Sequence, residues 1–352
     1  MRGRLSIDLG ALARNYRTIQ NMVGENCTAA AVVKADGYGL GVAAVAKALK
    51  GAGAQDFFVA NLDEAAALRG ILGEGPVIYT LNGFDARGAH VYQSEQIIPV
   101  LNSLEDVQDF GAHGQDLPAP ALHIDTGMNR LGIRMDRLDA LQGHDFSLVM
   151  SHFACADEKD HSMNAAQFEV FQAAAKHFPR TKKSLANSSG AFRSNAYHFD
   201  MVRPGMCLYG LNPKPETENP MEAVVSLSVP ILQIRDTAPG ETCGYNATYR
   251  FKNKTRLAVV ALGYADGFLR SLSNAGALYW RGIPCPVRGR VSMDLTIIDL
   301  GAVPENDLPR AGDMVEVIGP HQSADDLAAS AGTIGYEILT SLGARHLRHY
   351  MD

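Results

Sequence analysis

Apolar positions in the first two thirds of the chain fall into short unbroken runs, each followed by a polar or glycine-containing loop and a longer mixed stretch. The runs are AAVV at 30–33, FFVA at 57–60, VIYTL at 77–81, IIPVL at 97–101, ALHI at 121–124, SLVMS at 147–151, SLAN at 184–187 and MVRPGMCLYG at 201–210, eight in all. Such runs fit strands buried on both faces, the condition inside a parallel sheet. Between them, DEAAALRGIL, SLEDVQDFGA and MNAAQFEVFQAAAKHF are alanine-rich with a 3.6-residue period, which predicts helices. Asn61 with Asp63, and Ser103 with Glu105 and Asp106, supply capping chemistry at two of their starts.

Eight alternating β and α units over about 200 residues predict an α/β fold of the parallel (β/α)8 TIM type. A doubly wound open sheet has the same periodicity, but the count of eight and the lack of a GxGxxG turn favour the barrel. After the proline-rich break PKPETENP the texture changes. VVSLSVPILQIRDTAPGE, TRLAVVALGYADG, ALYWRGIPCPVRGRVSMDLTIIDLG and DMVEVIG alternate apolar and polar residues between Gly, Pro and Asp turns. The pattern predicts a barrel over 1–215 followed by a mostly β C-terminal domain over 216–352, with the first few residues able to pair with the β domain. The tail at 323–350 returns to helix-like patterning.

Composition narrows the function classes. The chain has 352 residues, 46% hydrophobic and 20% charged, ordinary for a globular protein. A net charge of −6 with no long basic run gives no footprint for nucleic acid. The N-terminus lacks the apolar core of a signal peptide, and no window reaches the roughly 18 apolar residues of a membrane span, which predicts a cytoplasmic protein. Five widely spaced cysteines without a CxxC point to neither a disulfide framework nor a zinc ribbon.

The most pointed chemistry sits at VVKADGYGLG, residues 32–41, where a buried run stops at Lys34. In a barrel that is the C-terminal rim, where active sites are built. A desolvated amine there has a lowered pKa and attacks carbonyls; the plainer alternative is a lysine snorkelling from a strand end. Tyr38 among Gly37, Gly39 and Gly41 suits a phosphate, because glycines let backbone approach and a phenol donates. The other strand ends add DTGMNR at 125–130, SHFACAD at 151–157, NSS at 187–189 and RPG at 203–205. A single DTG does not make an aspartic protease site, which needs two carboxylates. His152, Asp157 and His161 could ligate a metal, but no HExxH or tight histidine cluster supports that over a hydrogen-bonded rim histidine, and no metal is expected.

Taken in order, VVKADGYGLG, DTGMNRLG, SHFACADE, NSS, RPGMCLYG, GYNATY, GYADG, GRVSMD and GYE resemble the alanine racemase family, fold type III enzymes that use pyridoxal 5′-phosphate (PLP). The resemblance covers nearly the whole chain. It implies that Lys34 holds PLP and acts as the base on the D-face, and that Tyr245 is the base on the L-face. In the family this tyrosine reaches the barrel of another subunit, so a head-to-tail homodimer with shared sites is implied. Tyr38, Ser188, Gly205, Met206 and Tyr336 match phosphate-binding positions, and Arg203 matches the arginine facing the pyridine nitrogen. His152 matches the residue that hydrogen-bonds the catalytic tyrosine, and belongs with the cofactor-binding set. Arg130 and Met293 match substrate-binding positions; Asp157, Tyr264, Arg270, Arg290 and Asp294 match the access path, with Tyr264 and Tyr336 narrowing its inner end.

The implied activity is interconversion of L- and D-alanine, feeding peptidoglycan synthesis or catabolism, with a broader or serine-specific racemase of the same fold as the near alternative. A guanidinium at the pyridine nitrogen leaves that nitrogen unprotonated and the ring a poorer electron sink, which disfavours transamination. One position departs from the pattern. Many members carry a carbamylated lysine where this chain has His123, so Arg130 must be oriented otherwise. Two rivals fit less well: a PLP-binding protein without turnover has no β domain and so no Tyr245, and a type III decarboxylase pairs a carboxylate with the ring nitrogen. A metal-dependent barrel hydrolase lacks its ligand cluster.

Overall fold

In the computed structural model, which describes residues 2–352, the chain divides into two compact units. One is Gly10–Glu222; the other joins the N-terminal residues through Leu9 to Ala223–Asp352.

The first unit is a parallel β/α barrel. Strands Ala31–Val32, Asp56–Val59, Val77–Thr80, Ile97–Leu101, Ala121–Asp125, Leu148–Met150 and Lys182–Ser184 pair in parallel, and all neighbours but one are consecutive barrel strands in the chain. The exception is the two-residue strand Ile133–Arg134, which pairs only with the end of Ala121–Asp125. Met201–Val202 closes the ring. It pairs with Thr28–Ala29, and main-chain bonds Ala30 N to Val202 O (2.9 Å), Asp200 N to Lys183 O (3.1 Å) and Arg203 N to Ala186 O (2.9 Å) join it to both neighbours. Inside, Ala30, Val32, Phe58, Tyr79, Val100, Ala121, Leu148, Met150 and Met201 form one buried cluster, with Phe58 and Tyr79 stacked at 4.5 Å. Inward residues recur at every second position of a strand, so the barrel is a packed core and polar chemistry is confined to its rim.

Helices form where capping and period agree. Asn61 accepts from Glu64 N at the start of Leu62–Leu72, and Ser103 accepts from Asp106 N at the start of Leu104–His113. Helix Ser162–Ala175 buries Asn164, Gln167, Phe171 and Ala174, a stripe at three- and four-residue spacing. The run expected as strand over 201–210 is strand only at Met201–Val202, then turns into a 3-10 segment at Met206–Tyr209. Pro204 has no N–H to continue the ladder, and Gly210 at φ 85° ends the turn.

In the second unit, Val225–Thr237 is the hub of a mostly antiparallel sheet. It pairs antiparallel with Arg4–Asp8, Thr255–Val260 and Met314–Ile318. Arg4–Asp8 also pairs in parallel with Leu347–Met351, so the end of the tail is a strand and only Ala324–Ala331 and Gly335–Ser341 of it are helical. Ser323 and Asp326 form a capping box on the first of these helices. No described helix is long and apolar enough to cross a membrane.

Candidate active site

Lys34 follows strand Ala31–Val32 at the C-terminal rim of the barrel, and the chain then does something unusual. Ala35, Asp36, Gly37, Tyr38 and Gly39 all have positive φ (54°, 55°, 63°, 56° and 81°), a turn of left-handed helix containing three residues with a side chain. Each such residue is strained by about 1–2 kcal/mol, so the surroundings must hold the turn. They do. Gly37 N donates to Val33 O (2.9 Å), Gly39 N to Ala35 O (2.7 Å), Gly41 N to Asp36 O (2.8 Å) and Val42 N to Asp36 Oδ1 (2.8 Å). Burial pushes the Lys34 amine below its usual value, the Arg130 charge pushes it further, and Glu64 opposes both.

The turn delivers Tyr38 to a second cluster. Its ring stacks on buried Tyr209 at 4.5 Å, and the Tyr209 hydroxyl donates to Val32 O (3.1 Å). The Tyr38 hydroxyl lies so close to Gly205 that a Cβ there would collide with it. Gly205 N in turn donates to Ser188 Oγ (2.9 Å), with Cys207 N at 3.5 Å from the same oxygen. Three residues from distant strand ends, Tyr38, Ser188 and Gly205, therefore meet with two hydroxyls and a side-chain-free backbone edge. Met206 follows directly and starts the 3-10 turn. That donor set could take a phosphate group.

Arg203 is buried beneath the same rim. It donates to Ser184 Oγ (2.5 Å), Ser151 O (2.5 Å), Leu185 O (3.4 Å) and His152 Nδ1 (3.3 Å). Burial, then the Arg130 charge, push it down to about 9, which still leaves it a cation at neutral pH. Because the guanidinium only donates, His152 Nδ1 is the acceptor and the imidazole proton resides on Nε2. Burial and the neighbouring cations hold His152 well below its ordinary value, so it is neutral. Gln167 fixes its backbone, donating to His152 O (2.9 Å) and Thr126 Oγ1 (3.0 Å) and accepting from Ala154 N (2.9 Å).

His123 has the opposite tautomer. Asn102 spends its amide hydrogens on Leu81 O (2.9 Å) and Val100 O (3.1 Å), so Asn102 Oδ1 accepts from His123 Nδ1 (2.8 Å) and Nε2 keeps its lone pair. Burial first, then Arg203 and Arg130, lower His123 to about 3. Arg130 itself is exposed at the end of a tight loop in which Asp125 Oδ1 accepts from Gly127 N (3.0 Å) and Asn129 N (3.1 Å). Asn129 donates its side-chain amide to Gly127 O (3.2 Å). Asp157 is exposed, its carbonyl receiving Arg193 Nη2 (2.6 Å).

The remaining candidates belong to the second unit. Tyr245 is 68% exposed on the turn between strands Thr242–Cys243 and Tyr249–Arg250, and Asn246 and Ala247 after it have φ of 62° and 48°. Gly244, at φ 71°, packs against the backbone of Gly289 and Arg290. The loop at 289–294 is tied to its surroundings: Gly289 N donates to Asn274 Oδ1 (2.6 Å), Val291 N to Ser273 Oγ (3.0 Å), and Ala265 N to Met293 O (3.0 Å). Ser273 Oγ donates to Arg270 O (2.5 Å), and Arg345 pairs with Asp294 (2.7 Å). This unit thus gathers Tyr245, Tyr264, Arg270, Arg290, Met293 and Asp294 on linked loops, while Tyr336 opens helix Gly335–Ser341. Gly263 is needed there, since a Cβ would strike the Met293 carbonyl.

Among the described residues no group of three His, Cys, Asp or Glu is placed to hold a metal ion. Sequence reasoning did not single out Asn102, Ser151, Gln167, Ser184 and Tyr209, buried polar partners that act through others. Their signal is weak: Asn102, Ser151 and Ser184 look like ordinary strand ends, Gln167 like one polar position of a helix, and Tyr209 like part of an apolar run.

A sequence model of the alanine racemase N-terminal domain matches residues 7–213, and one of the alanine racemase C-terminal domain matches 224–350. A catabolic alanine racemase of Agrobacterium fabrum is 46% identical, covering 99% of this chain and 92% of that protein. An alanine racemase of Acidiphilium cryptum is 47% identical, covering 98% and 97%. The solved alanine racemase of Bartonella henselae, with covalently bound pyridoxal phosphate, superposes with a TM-score of 0.94 at 36% identity over 100% of both chains.

Proposed function

The chain belongs to the alanine racemase family of PLP-dependent enzymes, and from that premise we propose that it interconverts L- and D-alanine by two-base proton transfer between Lys34 and Tyr245. The observation that carries the reading is the rim cluster: an amine with lowered pKa at Lys34, one turn before a tyrosine whose hydroxyl lies against Gly205, the residue whose amide bonds Ser188.

The residues present fit PLP. Tyr38, Ser188, Gly205 and Met206, with Tyr336, would hold the phosphate; Lys34 would hold the aldehyde carbon; Arg203 would face the ring nitrogen. When bound, PLP supplies an electron-withdrawing ring that acidifies the substrate Cα–H. Freed when the substrate amine takes its place at the aldehyde carbon, Lys34 Nζ would take or return the proton on one face of Cα, and the Tyr245 oxygen would do so on the other. A proton leaves one face and another arrives on the opposite face, so the product is the mirror image and no net charge is made. A phenol starts near pKa 10 and needs help to act as a base near neutrality. The Nε2–H of His152, held in that tautomer by Arg203, can donate to the phenolate and ease its formation.

Tyr245 of the partner subunit would complete each site in a head-to-tail homodimer, which its exposure on a turn supports. Arg130 and Met293 would contact the substrate, and Asp157, Tyr264, Arg270, Arg290 and Asp294 would line its path. A narrow inner gate at Tyr264 and Tyr336 favours a methyl side chain. Where many family members carry a carbamate, His123 offers a neutral nitrogen acceptor. Both directions of the reaction are open, so the cytoplasmic enzyme could supply D-alanine for peptidoglycan or consume it.

The test is turnover of L- and D-alanine by purified, PLP-loaded protein beside serine, lysine and arginine. Alanine should be racemised in both directions at least tenfold faster than the others, given that one pocket contact is worth about 10- to 200-fold. Equal rates on serine would replace alanine with a broader specificity, and no turnover of any amino acid would contradict the reading.

A further inference from the structure

The strained turn after Lys34 is held from one side by a carboxylate that has no assigned role. Glu64 is the third residue of helix Leu62–Leu72, whose cap Asn61 binds Glu64 N (3.0 Å). Its Oε2 accepts from Ala60 N (2.7 Å), the residue just before the cap, and its Oε1 accepts from Ala35 N (2.8 Å). Ala35 is the residue after Lys34 and the first of the left-handed run.

An internal control separates the two bonds. Helix Leu104–His113, two β/α units further on, has the same construction: cap Ser103, then Asp106 as third helical residue, with Asp106 Oδ2 accepting from Asn102 N (2.7 Å) just before the cap. An aspartate is therefore long enough to bond the amide preceding the cap. The extra methylene of Glu64 is not needed for that bond. It lets one oxygen stay on Ala60 while the other reaches Ala35. The cap-side contact stabilises the helix start; the Ala35 contact has no counterpart at Asp106.

We infer that Glu64 is a positioning residue for the proposed racemase site: its second carboxylate oxygen pins the Ala35 amide and so keeps Lys34 and Tyr38 at the spacing the cofactor requires. The inference rests on the function proposed above. Ala35 and Asp36 are exposed, so packing does not hold this edge of the turn, and the bond from Glu64 ties it to the end of the neighbouring strand. Glu64 touches no reacting atom; its charge raises the Lys34 pKa, which an aspartate would also do, and its positioning acts through the backbone.

Glu64→Asp is the discriminating variant, because Asp106 shows that aspartate keeps the helix-side bond. In the PLP-loaded protein, the Ala35 amide should exchange its hydrogen about tenfold faster than in the parent while the Ala60 amide is unchanged, the effect of losing one charge-assisted hydrogen bond. PLP dissociation should quicken by a similar factor, the visible circular dichroism of the bound cofactor should change, and the melting temperature should stay close to that of the parent. Unchanged PLP retention and dichroism, or Ala35 and Ala60 accelerating together, would overturn the inference. If Glu64→Asp does not fold, exchange in the parent decides: Ala35 should be protected although the residue is exposed, and exchange at the rate of a free amide sinks the idea. Failure of the parent to racemise any amino acid would instead strike the proposed function, and leaves the exchange result readable on its own.

Discussion

The two candidate bases sit in opposite kinds of surroundings. Lys34 is partly buried in the barrel unit, its amine lowered by burial and by Arg130, with Glu64, Asp36 and Val33 bonded to the turn beside it. Tyr245 is 68% exposed at a turn of the β unit. Yet both are followed by two consecutive non-glycine residues with positive φ, Ala35 and Asp36 in one case and Asn246 and Ala247 in the other. Strain of that kind persists where the surroundings over-determine the backbone, and it clusters where a side chain must be aimed. The difference in burial teaches which half is self-sufficient. The barrel sets the surroundings of its own lysine, whereas the tyrosine is aimed by its turn and stands exposed.

The comparison can be broken most severely at its buried end. Lys34→Ala should abolish PLP retention after gel filtration and lower alanine racemisation by about four orders of magnitude or more, since attachment and one base are lost together. Retained yellow protein with residual turnover would remove Lys34 from the role. At the exposed end, Tyr245→Phe should lower kcat by about 10²- to 10⁴-fold while PLP is retained as in the parent, the loss typical of one acid–base group. Loss of PLP in this variant would mean that the tyrosine holds the cofactor and does not merely move a proton.

Arg203 sharpens the contrast by testing what burial does to a charge. Arg203→Glu places a carboxylate against the carbonyls of Ser151 and Leu185 and should cost about 3–5 kcal/mol in denaturant unfolding. In whatever fraction folds, pyruvate formation from alanine should rise relative to racemisation, because a carboxylate lets the ring nitrogen protonate. An unchanged ratio would show that the arginine does not restrain that side reaction.

The last effect is on stability against pH. His123 is lowered from its ordinary value near 6.5 to about 3 in the folded protein, so between those values the unfolded chain binds a proton that the folded chain does not. Stability therefore rises with pH across that window; the His123 contribution is full above about 6.5 and lost as pH falls toward 3. His123→Gln should flatten the acid limb of a melting-temperature profile from pH 7 to 4. An unchanged slope would assign the acid sensitivity to other groups, His152 first among them.

How much of this could be read from the chain depends on how local each cause is. Runs such as FFVA and VIYTL became strands Asp56–Val59 and Val77–Thr80 because a parallel strand buries both faces and leaves an unbroken apolar mark. Asn61 and Ser103 announced helix starts because capping is decided within four residues. MVRPGMCLYG was too long as a strand, since its apolar content also suits a buried 3-10 turn. The left-handed conformation of Ala35 and Asp36 left no trace, because neither residue prefers it and only distant bonds impose it. The same holds for Asn102 and His123, 21 residues apart, and for Tyr209, which reaches Val32 across 177 residues. Motif order pointed to the family; the tautomers of His123 and His152 needed coordinates.

The central claim is that each site draws its lysine from one chain and its tyrosine from another. Lys34→Ala and Tyr245→Phe proteins, each inactive alone, can be unfolded together, refolded with PLP and assayed for alanine racemisation. Random pairing makes about half of the dimers mixed, and each mixed dimer rebuilds one intact site of two, so the account predicts about a quarter of the parent activity. A refolded mixture as inactive as its components, with mixed dimers demonstrated by mass, would contradict it.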